Sequence, residues 1–306
     1  IGEWKKGKPG IAHPNVPKPY RVIKELDGWN MAGGPIDGSY GPLINLKGVK
    51  VDGKQVRWAY GPQRQGKDFK YIDDNNRDLT PDEINAEWAE KRLLELANSD
   101  DENPFLMAVG FLRPHTPLIV PQKYFDMYPL EDIKLADILE NDKDDTFLHL
   151  VDQFETKGRR VRSTEMYKNL VASYDDNKEG LKRFTQAYLA CVTAVDENIG
   201  QVLSAVNKTK LKDNTIVIIA SDHGWTMGEK EHVYKNSLWE ESTRVPLIIR
   251  APGISKPNKK VSHPVSLIDV YPTLLDLAGL DFITKKNETG SSLNGFSLKP
   301  FLKNSD

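Results

Sequence analysis

Three short runs in this chain are almost wholly apolar: Pro104-Phe105-Leu106-Met107-Ala108-Val109-Gly110-Phe111, Asn214-Thr215-Ile216-Val217-Ile218-Ile219-Ala220 and Val245-Pro246-Leu247-Ile248-Ile249-Arg250. Continuous rather than alternating apolarity marks a strand buried on both faces. Helical patterns stand before, between and after these runs. Thr80-Pro81 followed by Glu83 forms an N-cap, a first-turn proline and a capping box, and Ile84, Trp88, Leu93, Leu94, Leu96 and Ala97 continue the apolar stripe to about Asn98. A second helix is predicted from about Leu181 to Val206, with Phe184, Tyr188, Val192, Val195, Ile199, Val202 and Val206 at three- and four-residue steps. A third opens at Ser266-Leu267-Ile268-Asp269 and closes at Gly279. Buried strands interleaved with amphipathic helices predict an α/β fold with a mostly parallel central sheet and helices on both faces. Residues 1–75 read as loop-rich chain, with Trp29, Tyr40, Trp58 and Tyr60 as packing anchors or sugar-stacking platforms. Residues 130–180 are strongly charged and predict no strand.

The 306 residues are 39% hydrophobic and 28% charged, enough for a sizeable core. A net charge of −2 gives no general attraction to nucleic acid or to an anionic membrane. No apolar run approaches the roughly 18 residues of a membrane span, and Ile1 to Lys6 lack the apolar stretch of a signal peptide. One cysteine, Cys191, excludes an internal disulfide framework; on an apolar helix it reads as a small core residue. Asn207-Lys208-Thr209 and Asn287-Glu288-Thr289 fit the glycosylation triplet, a pattern common by chance.

Two segments carry candidate chemistry. Ser221-Asp222-His223-Gly224-Trp225 follows a predicted strand directly, where ligands bind in open α/β sheets. A carboxylate and an imidazole side by side can address one cation, and Gly224 permits a sharp turn. Lys235, preceded by Glu229 and His232, offers a point charge to an anion. The plainer alternative is a turn aspartate and a surface histidine. In Phe111-Leu112-Arg113-Pro114-His115-Thr116-Pro117 the prolines stiffen the loop, Arg113 can fork an oxyanion, and His115 can protonate a leaving alkoxide. The alternative there is a rigid surface loop with a structural histidine. Asp196 and Glu197 on the second helix, and the acidic cluster Asp142, Asp144 and Asp145, read as solvated surface.

Taken together, Ser221 to Glu229, Lys235, Glu241 to Ile248, Phe111 to Pro117 with Pro121, Tyr124 and Tyr128-Pro129, and Ser266 to Leu274 resemble the type I sulfatases of the alkaline phosphatase superfamily. The Asp-His pair and the Pro-His-Thr-Pro loop are most similar to the branch of iduronate-2-sulfatase and bacterial glycan sulfatases. The resemblance covers about 80–280 in consistent order. It implies hydrolysis of a sulfate ester on a glycan, with Asp222 and His223 ligating calcium (magnesium less favoured). Lys235 and His115 would be catalytic and contact sulfate together with Arg113. The family's nucleophile is a formylglycine matured from Cys or Ser in a Cys/Ser-X-Pro/Ala-X-Arg motif. Cys191 is followed by Val192-Thr193-Ala194-Val195, and no serine fits. The expectation is therefore that residues 1–306 form the central part of a catalytic domain. The nucleophile region and a C-terminal subdomain would be supplied by remaining segments of the same enzyme, in a periplasmic, extracellular or lysosomal setting. The rivals are a phosphoryl ester hydrolase of the same superfamily and a non-catalytic glycan-binding relative.

Overall fold

The computed structural model describes residues 40–43, 50–51, 54–55, 71–116, 118–146, 162–172, 174–282 and 292–303. Most of the loop-rich reading of 1–75, with Trp29, Trp58 and Tyr60, lies outside these residues, as does the Asn287 triplet. In chain order the strands are β1 (Tyr40–Pro42), β2 (Lys50–Val51), β3 (Lys54–Gln55), β4 (Tyr71–Asp73), β5 (Asn76–Arg77), β6 (Leu118–Val120), β7 (Val217–Ala220), β8 (Thr226–Met227), β9 (Val233–Tyr234) and β10 (Leu247–Arg250). The helices are α1 (Pro81–Asn98), α2 (Gln122–Phe125), α3 (Arg162–Ala172), α4 (Asn177–Asn207), α5 (Glu240–Thr243), α6 (Val270–Leu277) and α7 (Lys299–Lys303). The chain divides into two compact units, Ile1–Ala205 with Trp225–Asn236, and Val206–Gly224 with Ser237–Asp306.

In the first unit, α1 begins where its sequence says. The Thr80 hydroxyl accepts from the Glu83 amide and the Glu83 carboxylate accepts from the Thr80 amide at 2.6 Å. Glu83 also takes a two-pronged bond from Arg77, at 2.6 and 2.8 Å. The core gathers on α4. Leu181, Phe184, Ala187, Ala190, Cys191 and Ala194 are buried against Leu118, Val120, Tyr124, Phe125, Leu170, Trp225 and Val233. The predicted stripe holds at Phe184 and Val206, which are buried, but Val192 is 37% exposed, and in mid-helix the small Ala/Cys face turns inward. Small side chains let neighbouring elements approach closely, and aromatics fill the remaining space. The Trp225 ring meets Tyr234 edge-on at 5.0 Å and Tyr188 at 5.6 Å. Cys191 is fully buried with its thiol pushed up to about 12 by desolvation, as a core cysteine should be.

Two surface readings need correction. Asp142 is not merely solvated. Its carboxylate accepts from the Lys230 ammonium at 2.9 Å and from the Lys230 amide at 2.7 Å, with Asp145 on the same ammonium at 2.8 Å. Glu197 is exposed, as expected, yet accepts from the Tyr124 hydroxyl at 2.5 Å and from Lys123.

Strand pairing among the described residues is sparser than the sequence suggests. β1 and β6 run parallel, whereas β7 and β10 pair antiparallel, Leu247 opposite Ala220. A parallel return needs a long crossover, usually helical. The connection 221–246 holds only the β8–β9 hairpin, a 3₁₀ turn and the one-turn α5. Residues 104–111 form no strand, and Leu106 is 87% exposed. A strand exists through its ladder partners, and no described segment pairs with this run.

In the second unit, Ser266 and Asp269 form a capping box that leads through a 3₁₀ turn (Leu267–Asp269) into α6. The helix ends as the sequence predicts. Gly279 takes φ +65°, and the Leu280 amide returns to the Leu275 carbonyl at 2.9 Å. Buried Asp269 also accepts from the Phe296 amide at 2.8 Å, which ties the segment before α7 to α6.

Candidate active site

Each candidate side chain stands at the end of an element or in a loop anchored by one. In the first unit the loop 111–116 enters from residues packed near the start of α1. The Leu112 and Arg113 amides donate to the two oxygens of Asp82, at 2.7 and 2.9 Å. The His115 amide closes a turn onto the Leu112 carbonyl at 2.8 Å. Arg113 is 8% exposed. Its Nε donates to the Ile119 carbonyl at 3.2 Å and one terminal nitrogen to the His115 carbonyl at 3.3 Å. Those contacts make Arg113 a brace of its own loop. His115 is half-buried, with Nδ1 2.7 Å from the Thr116 carbonyl. A carbonyl accepts, so Nδ1 carries the proton of that bond.

Lys235 follows β9 and is half-buried. The hairpin that delivers it is unusually bent. Lys230, Glu231 and Tyr234 all take positive φ, at 55°, 51° and 76°. Such conformations persist only where surroundings hold them, and they concentrate at functional sites. Here the Thr226 hydroxyl donates to the Tyr234 carbonyl at 2.7 Å, His232 Nδ1 lies 3.0 Å from that hydroxyl, and Lys230 is clasped by Asp142 and Asp145. His232 is 5% exposed, and desolvation lowers its pKa to about 4, so it serves this hairpin as a neutral structural ring.

In the second unit the segment after β7 carries Asp222 and His223. Gly224 is required there by close approach: a Cβ would lie 2.1 Å from the Glu241 carbonyl oxygen and 2.9 Å from that of Arg244. Its amide donates to the Ser242 carbonyl at 2.7 Å. His223 Nδ1 lies 2.8 Å from the Gly224 carbonyl, to which it donates, and Nε2 lies 3.4 Å from Asp222 Oδ2. A carboxylate oxygen and an imidazole nitrogen at that separation can take neighbouring positions around one cation. The Asp222 side chain is 84% exposed and open to a ligand. Among the described residues no group of three His, Cys, Asp or Glu side chains gathers as a complete metal site.

The structure thus joins Arg113 to His115 and Asp222 to His223. Arg113, His115 and Lys235 belong to the first unit, Asp222 and His223 to the second. Asp82 was not singled out by the sequence reading, because a first-turn acid after a capping threonine looks like ordinary helix-dipole compensation.

Residues 54–280 match the family model described as Sulfatase. Over 202 residues the chain is 39% identical to a sulfatase of Formosa agariphila, covering 66% of this chain and 37% of that protein. It is 32% identical over 231 residues to the iduronate 2-sulfatase of Mus musculus, covering 65% of this chain and 40% of that one. Among solved structures, the phosphonate monoester hydrolase of Silicibacter pomeroyi superposes with a TM-score of 0.56 at 28% identity, over 71% of this chain and 41% of the other, and shares its alkaline-phosphatase-like α/β fold. The chain spans about two fifths of the length of these curated relatives. On the match to 54–280 and the identity with curated sulfatases, this chain belongs to the sulfatase family.

Proposed function

We propose that the protein of which this chain is the central part hydrolyses sulfate esters of a sulfated carbohydrate with the help of a divalent cation, calcium first among them. The observation that carries the reading is the Asp222–His223 pair: an imidazole fixed through Nδ1 on a backbone carbonyl, with Nε2 3.4 Å from a carboxylate oxygen. A bound cation would supply Lewis-acid charge for a sulfate oxygen. The likeness to iduronate 2-sulfatase supports a sulfated sugar as substrate.

The remaining residues act on the ester directly. Lys235 places an ammonium on the anion's oxygens, where negative charge must be held as the S–O bond breaks. His115 gives the Nε2 proton of its imidazolium form to the departing alkoxide while the Thr116 carbonyl holds Nδ1–H. Arg113, committed to the Ile119 and His115 carbonyls, acts on the substrate only through the loop or through its remaining donors. The nucleophile, a formylglycine by family resemblance, belongs to a segment outside these residues; buried Cys191 does not supply it. A periplasmic, extracellular or lysosomal setting follows the same reading, and no helix among the described residues is long and apolar enough to cross a membrane.

The likeness to a phosphonate monoester hydrolase favours one second reading, turnover of a phosphoryl or phosphonate ester. Imidazole is also a less usual ligand for calcium than oxygen donors are. Turnover of aryl sulfate, aryl phosphate and aryl phosphonate side by side by the full protein decides between them. A sulfate kcat/KM at least tenfold above the others supports the proposal, and the reverse order overturns it.

A further inference from the structure

The acid nearest the His115 loop is not among the residues that would touch substrate. Asp82 lies in the first turn of α1, is 4% exposed, and spends both carboxylate oxygens on backbone amides about thirty positions away: Leu112 at 2.7 Å and Arg113 at 2.9 Å. Arg113, the residue so held, reaches onward to the Ile119 carbonyl at 3.2 Å and the His115 carbonyl at 3.3 Å. The two bonds from Asp82 grip the loop before His115. The two from Arg113 grip it at His115 and beyond, where β6 begins. A loop pinned at both ends to a helix start and a strand presents its central side chain in one direction, while an unpinned loop does not. Burying a carboxylate is expensive unless its oxygens are satisfied, so a buried acid devoted to a loop reflects a demand for that loop's geometry.

We propose that Asp82 is a positioning residue for the reaction: through Leu112, Arg113 and the Arg113 guanidinium it sets the orientation of His115 toward the leaving group. This rests on the sulfatase reading above. Misplacing a proton donor by about an ångström lowers rate far more than binding. Asp82→Asn keeps size and one acceptor oxygen, but its amide nitrogen faces a backbone N–H. In the full protein the variant should lose roughly tenfold or more in kcat with KM within twofold, the scale of one poorly made hydrogen bond at a site that demands alignment. By hydrogen exchange, the Leu112 and Arg113 amides should lose protection at least tenfold while the interior amides of α1 do not. The unsubstituted protein gives an independent check, since those two loop amides should be protected to the degree of helix amides.

Unprotected Leu112 and Arg113 amides in the unsubstituted protein would overturn the proposal. So would unchanged kcat in Asp82→Asn, or a kcat loss matched by a uniform loss of protection across α1. If the unsubstituted protein releases no sulfate, the sulfatase reading falls, and the exchange data still decide whether Asp82 sets the loop.

Discussion

Replacing Glu83 with glutamine should expose how the start of α1, and with it Asp82, is held in place. Glu83 accepts from two Arg77 nitrogens at 2.6 and 2.8 Å and from the Thr80 amide at 2.6 Å. The two side chains are only 17% and 7% exposed. Burial pushes the Glu83 carboxyl up, and the bonds from Arg77 and Thr80 more than offset it, leaving a net downward shift. At an effective dielectric of about 20 and a charge separation of about 4 Å, the gross attraction is about 4 kcal/mol. Removing one member of such a buried pair typically costs about 3–5 kcal/mol, because the other charge stays buried. For Glu83→Gln we expect a loss of about 3 kcal/mol at neutral pH, toward the lower end because the amide still accepts one bond. The depressed folded pKa fixes the pH window. The stabilisation is present above the unfolded glutamate value, about 4.3, and is lost as pH falls through the folded value. The assay is hydrogen exchange of α1 amides in the unsubstituted protein, Glu83→Gln, Arg77→Met and the double variant. Protection in α1 should fall about 100-fold in Glu83→Gln, and the double variant should lose less than the two single losses combined. A change below about 0.5 kcal/mol, or strict additivity, would refute the assignment of a buried, coupled pair.

Other expectations concern single side chains. His232 has a folded pKa near 4, below its ordinary value of 6.5, so the fold binds fewer protons than the unfolded chain between them. Stability should be full above pH 6.5 and decline toward pH 4, with that slope missing in His232→Gln; superimposable profiles would contradict the assignment. Cys191, with its thiol pushed up to about 12, should resist iodoacetamide at pH 8 in the folded protein and react on unfolding, and stoichiometric labelling of the native state would count against its burial. Asp222→Ala should remove the bound divalent cation from the purified full protein, and an unchanged metal content by elemental analysis would remove Asp222 from the ligand set.

Where local chemistry decides structure, the sequence was sufficient. Thr80-Pro81 with Glu83 starts α1, Asn98 ends it, and Gly279 terminates α6 because only a left-handed residue fits there. Where tertiary partners decide, it was not. The valines of α4 offered as good a helical stripe as its alanines, and Val192 lost because close packing around Leu118 and Trp225 favours small side chains. Apolarity alone could not supply residues 104–111 with a ladder partner. The candidate site divides in the same way. Asp222 and His223 are adjacent in the chain, so their pairing was legible, and Gly224 proved necessary for close approach to the Glu241 carbonyl rather than for a turn. For Arg113 the sequence offered an anion clamp, and nothing in it showed that Nε and one terminal nitrogen are held by the Ile119 and His115 carbonyls. The Lys230 clasp joins residues about ninety positions apart, a distance over which charge pattern carries no pairing information.

The measurement that bears most directly on sulfate hydrolysis is release of inorganic sulfate from a sulfated sugar by the full protein and by its Lys235→Ala variant, with circular dichroism as the check on folding. A fall in kcat/KM of about 10²–10³ is expected, as for removal of a charge stabiliser at a reacting anion, with an unaltered spectrum. Sulfate release by a folded Lys235→Ala protein within twofold of the unsubstituted one would contradict it.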